Sequence, residues 1–283
     1  MEHLKANCDE KFQALTENSR GCDWIPLSAN SLGSGKYGCT FQVCCDGDCN
    51  FVVKIVPVTN SSVEQKMQSE VKLQKLFGSA APEVTDAFIC NDNAYIVMAK
   101  KDMTIEGFVN MMKGMGKSTG EIMKQIDNIE AEVKSIVKAA HAKGLLHGDL
   151  HRENIMLNLL KNSEGQPVAW SNIQLIDFGK SKVLAPNHED LKEEEDGIRM
   201  TFNLLRNFAK EPISRGPPTL KTKSVANCSL PTKKIARPSF FSPDTVAGSP
   251  RTPRTPPRGS RLFFDEEEEV DFKPRGNLFG DDE

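Results

Sequence analysis

Residues 147–154 read His-Gly-Asp-Leu-His-Arg-Glu-Asn and residues 176–179 read Ile-Asp-Phe-Gly, and these two stretches decide the fold. The apolar run Ile-Met-Leu at 155–157 follows the first stretch directly, and Asp177 comes 23 residues after Asn154. Two carboxylates and an amide thus arrive from separate parts of the chain, and their oxygens are of the kind that Mg²⁺ binds. The pattern predicts that they converge at one site.

These side chains suit phosphoryl transfer. That reaction needs a group that orients or deprotonates the attacking hydroxyl, and hard oxygen ligands that hold Mg²⁺ on the β- and γ-phosphates. Asp149 suits the first task, and Asn154 and Asp177 suit the second. The sequence therefore predicts Asp149 as the catalytic residue and Asn154 with Asp177 as metal ligands.

Two upstream features support this chemistry. Residues 32–38, Leu-Gly-Ser-Gly-Lys-Tyr-Gly, have the G-x-G-x-x-G spacing, in which glycine lets backbone N–H groups approach phosphate oxygens. Alone this motif is weak, because many turn-rich loops match it. Lys54 lies in an otherwise apolar strand, where it either extends from a sheet edge or holds an anion. Glu70 is its candidate partner, Glu64 is a competing one, and a solvated helix face is the alternative for both glutamates.

The periodicity predicts an α+β chain. Five short strands precede or flank one helix at Ser62–Phe77: Trp24–Leu27, Cys39–Cys45, Phe51–Val58, Phe88–Cys90 and Tyr95–Met98. A long helix at Ile122–Lys143 follows, and the pattern then predicts a hairpin of Ile155–Leu160 and Ile173–Ile176 with a long polar loop between the strands.

The order of these motifs resembles the eukaryotic-type protein kinase superfamily over about residues 24–208. The resemblance implies a two-lobed fold. An N-terminal extension, 1–23, would precede an N-lobe, 24–99, with a five-stranded antiparallel sheet and a C-helix. A reduced, mainly helical C-lobe would span 100–209. Beyond the resemblance, the composition predicts a disordered tail at 210–283.

The resemblance also implies roles for individual residues in binding ATP and Mg²⁺. Asp149 would be the catalytic base, and Asn154 and Asp177 would hold the metal. Lys54 would contact the α- and β-phosphates with Glu70 as its partner, and Met98 to Lys100 would form the adenine hinge. The full set of residues that would bind the nucleotide is Leu32, Gly33, Ser34, Gly35, Gly38, Thr40, Lys54, Glu70, Met98 and Lys100.

The sequence departs from the kinase pattern at three positions near the site. Thr40 stands where the family usually has valine over the adenine, which predicts a more polar pocket roof. Gly148 replaces the usual arginine before Asp149, so we do not expect control by phosphorylation of an activation loop. His151 replaces the lysine that many serine/threonine kinases place two residues after the base, and this makes the stretch similar to aminoglycoside and choline phosphotransferases.

The predicted C-lobe is short. No Ala-Pro-Glu motif follows Gly179, and the remaining chain is similar to the compact RIO and KEOPS-associated kinases and to the reduced kinases of large DNA viruses. Asp196 either begins a helix with Ile198, Phe202 and Leu205 that packs under the catalytic loop, or simply ends an acidic run. The two interpretations stay open.

Three functions compete. The first is an ATP- and Mg²⁺-dependent kinase that phosphorylates serine or threonine in protein substrates. The second is a small-molecule phosphotransferase of the aminoglycoside- or choline-kinase kind, favoured by His151. The third is a pseudokinase scaffold that binds partners through its tail, although a competent residue fills every metal and base position.

The tail divides by charge. Residues 210–261 hold eleven Lys and Arg against two acidic residues, a net of +9, whereas residues 265–283 have a net of −7. Many prolines and little periodicity predict disorder. Four Ser/Thr-Pro steps in the basic block suggest a regulated arm that binds a protein partner. The missing interleaved aromatics do not favour nucleic acid as a partner.

Two features predict an intracellular protein. The apolar run Ala94–Ala99 is too short to span a membrane, and the N-terminus lacks the apolar core of a secretory leader. The eight cysteines are therefore predicted to be reduced thiols. A zinc site at Cys39, Cys44, Cys45 and Cys49 is the alternative, but its ligand geometry is poor.

Overall fold

The computed structural model of this chain describes residues 3–5, 8, 12–17, 21–35, 38–185, 188–212, 230 and 275–277. All of them belong to one of the two compact units into which the chain divides, and the other unit, 231–273, lies outside the described residues. The tail predicted to be disordered, 210–283, therefore lies almost entirely outside them. The predicted domain boundaries remain a prediction.

The described N-terminal half is built on an antiparallel sheet of seven strands, two more than predicted. The additions are two-residue strands at Gln13–Ala14 and Gly33–Ser34, which carry too little pattern to be recognised in the sequence. The strands are β1 (Gln13–Ala14), β2 (Ile25–Pro26), β3 (Gly33–Ser34), β4 (Cys39–Cys45), β5 (Asp48–Pro57), β6 (Val84–Cys90) and β7 (Asn93–Ala99). Their order in the sheet is β1-β6-β7-β5-β4-β2, and β3 pairs with β4.

Helix α1 (Ser61–Phe77) packs on one face of this sheet. The Asn60 side chain caps its first turn by accepting from the Val63 N–H, and Gly78, at φ +58°, follows its last residue. The buried residues Met67 and Val71 recur at helical spacing and pack with Val56. The helix therefore forms as predicted, with one residue added at its start.

The second half contains three helices around one apolar core. They are α2 (Ile105–Gly114), α3 (Thr119–His141) and α4 (Glu189–Lys210). Ser118 is the N-cap of helix α3 and forms a full capping box with Glu121. The sequence prediction missed α2, although the Thr104 cap and the buried residues that follow it at helical spacing are visible signals.

Of the two interpretations left open for Asp196, the one in which it begins a helix is wrong. Helix α4 starts seven residues earlier, because His188 provides the cap and the acidic residues that read as a solvated run form its first turns. Asp196 lies in mid-helix, is well exposed and pairs with Arg199 at 3.1 Å. The predicted apolar face is nevertheless buried: Ile198, Phe202 and Leu205 are each 1% exposed or less.

The remaining described strands are short, apart from one hairpin. They are β8 (Met103–Thr104), β9 (Leu145–Leu146), β10 (Ile155–Lys161), β11 (Pro167–Leu175), β12 (Lys182–Val183) and β13 (Arg275–Asn277). β10 and β11 form the predicted hairpin. The prediction of a long polar loop between them is wrong, because β11 starts six residues earlier than expected. β13 pairs with β11, so this part of the tail is a strand rather than disordered.

The prediction of reduced thiols is also contradicted. Cys8 pairs with Cys90, Cys22 with Cys45 and Cys44 with Cys49, and none of the described cysteines is free. Two of these pairs join positions 82 and 23 residues apart, with Cα atoms 5.4 and 5.8 Å apart, and only the folded sheet brings them together. Disulfide-bonded sulfurs do not serve as zinc ligands. Since Cys44, Cys45 and Cys49 are paired, the alternative of a zinc site is contradicted as well.

Candidate functional site

Lys54 joins the two halves of the fold. Its Nζ lies 2.6 Å from Glu70 Oε1 on α1 and 2.8 Å from Asp177 Oδ1 in the second half. Burial alone would lower the pKa of Lys54, but the two carboxylates outweigh it and raise that pKa. The amine is therefore charged and held in place at the junction of the halves.

Strand alternation explains why Lys54 meets Glu70. Val52 and Val56, two residues to either side of the lysine, pack in the apolar cluster that α1 covers. Lys54 therefore lies on the face of β5 that α1 covers, where Glu70 is 3% exposed. The other candidate, Glu64, lies nearly two turns earlier and accepts a long 3.5 Å hydrogen bond from Gln68.

The glycine-rich stretch lies over the same part of the sheet. Gly33 pairs with Thr40, and Thr40 pairs with Lys54, so the three residues lie in one row across β3, β4 and β5. Leu32 donates its N–H to Thr40 O at 2.7 Å, and Gly35 donates to Gly38 O at 2.9 Å. Ser34 pairs with Cys39 in the same ladder.

The third glycine of this motif is required by packing. A Cβ built on Gly38 would collide with the backbone carbonyl of Ile55 in the neighbouring strand. Any other residue would therefore push β4 and β5 apart at the point where Lys54 emerges. Gly33 and Gly35 have no such neighbour, so their side of the turn is open.

Backbone and side-chain hydrogen bonds tie the three predicted catalytic and metal residues together. Asn154 Nδ2 donates to the backbone carbonyl of Asp149 at 3.0 Å, and the N–H of Ile176 donates to Asn154 O at 3.0 Å. Asp177 follows directly, in a left-handed conformation with φ +67°. The structure thus brings Asp149, Asn154 and Asp177 into one connected site.

The charge of Asp177 is stabilised where it lies. Burial would raise its pKa, but the Lys54 ammonium and a hydrogen bond from the Gly179 N–H lower it below the ordinary value. Asp177 is therefore an ionised carboxylate. Asn154 donates from its amide nitrogen to the Asp149 carbonyl, so its amide oxygen remains as a ligand for a cation. A carboxylate and an amide oxygen are ligands that fit Mg²⁺.

His147 forms an aromatic cluster with Phe77 and Phe178. Its ring centroid is 4.9 Å from that of Phe178 and 6.1 Å from that of Phe77 at the end of α1. Its Nε2 contacts Ile176 O at 3.0 Å, and burial lowers its pKa, so the ring is neutral and donates there. The cluster links α1, Phe178 and residues 147–154. These eight residues contain the predicted base Asp149 and are called the catalytic stretch below.

Sequence reasoning missed Glu194. Its carboxylate accepts from the Gly148 N–H at 2.6 Å and from the His147 N–H at 3.3 Å, and it lies 2.8 Å from His141 Nε2. The glutamate thus holds the backbone of the catalytic stretch from α4. Its only signal in the sequence is its place among neighbouring acidic residues, which does not distinguish it from them.

Gly148, the residue that replaces arginine, is also explained by backbone geometry. Its φ is +78°, and a Cβ there would lie 2.6 Å from the carbonyl oxygen of Lys180. A side chain at this position would therefore displace the segment after Asp177. The glycine permits the close approach that brings Lys180 to Asp149.

Lys180 is a second residue that sequence reasoning missed. Its Nζ lies 2.8 Å from Asp149 Oδ1, at the edge of a cleft of about 750 Å³ that His151 also lines. No feature of the sequence predicts this contact, because Lys180 lies outside the motif residues. It depends on the tight turn after Asp177.

The predicted adenine hinge is only partly open to a ligand. Met98 is buried, and its sulfur accepts from Gln74 Nε2 at 3.7 Å. The N–H of Ala99 donates to Glu83 O at 3.1 Å, and that of Lys100 donates to Asn50 O at 2.8 Å. The N–H groups of Ala99 and Lys100 are therefore used within the protein. Adenine recognition at Met98 to Lys100 would have to use other atoms.

This arrangement is that of a two-lobed, kinase-like fold with its characteristic side chains assembled. A family model described as protein kinase domain matches residues 28–203, which is more than half of the chain. The chain therefore belongs to the protein kinase domain family.

Curated relatives agree at lower coverage. The chain is 24% identical over 178 residues to the "Probable serine/threonine-protein kinase FMP48" of Saccharomyces cerevisiae, which covers 60% of this chain and 45% of the relative. It is 33% identical over 84 residues to the "3-phosphoinositide-dependent protein kinase 1" of rat and of human, which covers 26% of this chain and 13% of each relative. The chain thus spans less than half the length of these relatives.

One further finding concerns membranes. Within the part of the chain that the structure describes, none of the helices combines the length and apolar character needed to cross a bilayer. The intracellular location stays a prediction.

Proposed function

We propose that this protein kinase transfers the γ-phosphate of ATP to serine or threonine hydroxyls of protein substrates. The observation that carries the proposal is the position of Lys54, which lies within 2.8 Å of both Glu70 and Asp177. A fixed cation beside a carboxylate and an amide is the set of groups that holds the phosphates of a nucleotide. The name of the yeast relative favours serine or threonine as the acceptor.

Each predicted residue has a task in this proposal. Lys54 binds the α- and β-phosphates beneath the glycine-rich strand, and Asn154 and Asp177 would hold Mg²⁺, which would neutralise charge on the β- and γ-phosphates. Asp149 orients the acceptor hydroxyl and takes its proton. The chain's own residues thus supply the positioning and the electrostatic stabilisation on which this reaction depends.

The basic block of the tail has a separate proposed role. Its charge and its four Ser/Thr-Pro steps suit an arm that binds an acidic protein partner and is released by phosphorylation. This block lies outside the described residues, so the proposal rests on the sequence alone.

An acceptor panel tests the proposed function. The full chain is incubated with Mg²⁺ and γ-labelled ATP together with an acidic protein, a basic protein, an aminoglycoside or choline, and the Asp149→Asn variant serves as the blank. We expect label on serine or threonine of at least one protein, or on the chain itself. Label on the small molecules alone would reject a protein kinase, and binding of Mg-ATP without any transfer would favour the scaffold.

A further inference from the structure

Lys180 places an amine directly on the carboxylate that we propose as the base. Its Nζ is 2.8 Å from Asp149 Oδ1, and it follows Gly179, so it belongs to the same turn as Asp177. The Lys180 side chain is 57% exposed and that of Asp149 is 28% exposed. The ion pair therefore lies at the surface of the cleft from which an acceptor hydroxyl must approach Asp149.

The pair has little to do with stability. Exposed ion pairs contribute about 0 to 1 kcal/mol, because water screens them and long side chains lose freedom in forming them. Lys180 can therefore leave Asp149 at small cost when a stronger anion arrives. The γ-phosphate of a nucleotide is such an anion, since a terminal phosphate carries more negative charge than one carboxylate and lysine binds phosphate as a point charge.

Two other nitrogen-bearing side chains near the site, Lys54 and His151, do not fill this place. Lys54 is committed between Glu70 and Asp177. His151, two residues after Asp149, accepts the Glu153 N–H at its Nδ1 at 3.2 Å, so this nitrogen is turned to its own backbone. The cation that touches Asp149 thus comes from the segment after Asp177 rather than from the catalytic stretch.

We infer that Lys180 is a further catalytic residue, which leaves Asp149 when ATP binds and contacts the γ-phosphate during transfer. The inference rests on the proposed function. It assigns to Lys180 the task of neutralising charge on the oxygens of the phosphoryl group as that group moves. The movement of the amine also uncovers the Asp149 carboxylate for the acceptor hydroxyl.

Phosphoryl transfer forms one bond to phosphorus and breaks one. The oxygen of the acceptor hydroxyl forms a bond to the γ-phosphorus, and the bond from that phosphorus to the oxygen bridging it to the β-phosphate breaks. ADP leaves with the bridging oxygen and its electron pair, and the hydroxyl proton passes to Asp149 and then to water. Lys180 keeps its proton throughout and acts only through its charge.

Three variants of the full chain test this role: Lys180→Met, Lys180→Arg and the matched control Lys192→Met. Lys192 is an exposed lysine on α4, so its replacement removes one charge from the same half. Calorimetry gives the dissociation constants of Mg-ATP and Mg-ADP, and initial rates give kcat and KM. Thermal unfolding confirms that each variant is folded.

We expect Lys180→Met to lose about tenfold in ATP affinity, equal to one lost charged contact, with ADP affinity unchanged. Its kcat should fall about 10²- to 10³-fold, as when one group that stabilises transition-state charge is removed. Lys180→Arg should recover part of both, and Lys192→Met should match the unmodified protein.

Two results would overturn the inference. One is an unchanged ratio of ATP to ADP affinity together with an unchanged kcat in Lys180→Met, and the other is a rise in kcat, which would make the lysine a block on Asp149. The proposed function fails separately, if the unmodified protein labels no acceptor in the panel. Even then the comparison of ATP with ADP decides whether Lys180 contacts the γ-phosphate, because it requires no turnover.

Discussion

Residues 1–99 contain seven of the eight cysteines of the chain, whereas residues 100–209 contain none. The first region has two separate apolar clusters around its sheet, and disulfides tie Cys8 and Cys22 to strands of that sheet. The second region is held by one continuous core beneath its helices. A thin sheet that carries the glycine-rich strand and Lys54 thus depends on covalent links, while the half that carries Asp149 depends on packing.

The largest expected effect is on kcat, when either carboxylate partner of Lys54, the lysine that bridges these two regions, is replaced. Asp177→Asn should lower kcat by about 10³- to 10⁵-fold, by analogy with the loss of an arginine finger, which also stabilises charge in phosphoryl transfer. Glu70→Gln should lower it by about 10- to 10²-fold, because Lys54 would keep one carboxylate partner but lose its position.

Glu64→Gln is the control for this prediction, since Glu64 lies on the same helix and was the competing candidate. Steady-state kinetics with a protein acceptor measure all three variants. A loss in Glu64→Gln equal to that in Glu70→Gln would contradict the pairing seen in the structure.

A smaller effect is expected on the stability of the sheet. Replacing Cys8 and Cys90 together by alanine should lower the free energy of unfolding of this half by about 4 to 5 kcal/mol, because the bond closes a long loop. Replacing Cys44 and Cys49, five residues apart, should cost about 2 kcal/mol by the same chain-entropy reasoning.

The two tryptophans separate the halves in this experiment. Trp24 is buried in the sheet region and Trp170 in the helical region, so urea unfolding of single-tryptophan variants follows each half by fluorescence. The Cys8 and Cys90 double replacement should shift the Trp24 transition more than the Trp170 transition. Equal shifts, or none, would show that the covalent links are not what distinguishes the regions.

Packing in the helical region is tested by two adjacent leucines of α4. Leu205 is fully buried and Leu204 is 59% exposed. Leu205→Ala should cost about 2 to 5 kcal/mol through the cavity it leaves, whereas Leu204→Ala should change stability by less than about 0.5 kcal/mol. Urea unfolding observed at Trp170 measures both, and similar losses for the two would contradict the burial of this helix face.

The smallest effect is a pH dependence in the helical region. Burial would lower the pKa of His141, but Glu194 and Glu195 outweigh it and raise that pKa above 6.5. Since the folded pKa exceeds the unfolded one, this stabilisation is fully present below pH 6.5 and is lost as the pH rises through the folded value.

His141→Gln should remove this component, so that the free energy of unfolding falls less between acidic and alkaline pH than in the unmodified protein. Lys192→Met is the control, since it changes one exposed charge on the same helix as Glu194. Identical pH profiles for the unmodified protein and His141→Gln would show that the pair with Glu194 does not form.

The sequence predicted the parts of the site that are encoded by short motifs. Asp149, Asn154 and Asp177 lie together as expected, because each directly adjoins an apolar strand or turn with a clear pattern. The choice of Glu70 over Glu64, which the family resemblance implied, also agrees with the structure.

What the sequence did not predict depends on contacts between distant segments. Glu194 and Lys180 reach the catalytic stretch only because α4 and the turn after Asp177 pack against it, and neither residue belongs to a local motif. The pairing of Cys8 with Cys90 likewise requires the folded sheet. The early start of α4 was missed for a different reason, since its acidic first turns look like a solvated run.

The most direct test of the central claim is a single-turnover measurement on the full chain, in which Mg-ATP binding and transfer are recorded for the unmodified protein and for Asp149→Asn in the same samples. The account predicts similar Mg-ATP affinity for both and transfer that is about 10²- to 10⁴-fold slower in Asp149→Asn, the usual contribution of a positioned acid or base. Transfer at a near-normal rate in Asp149→Asn would contradict it.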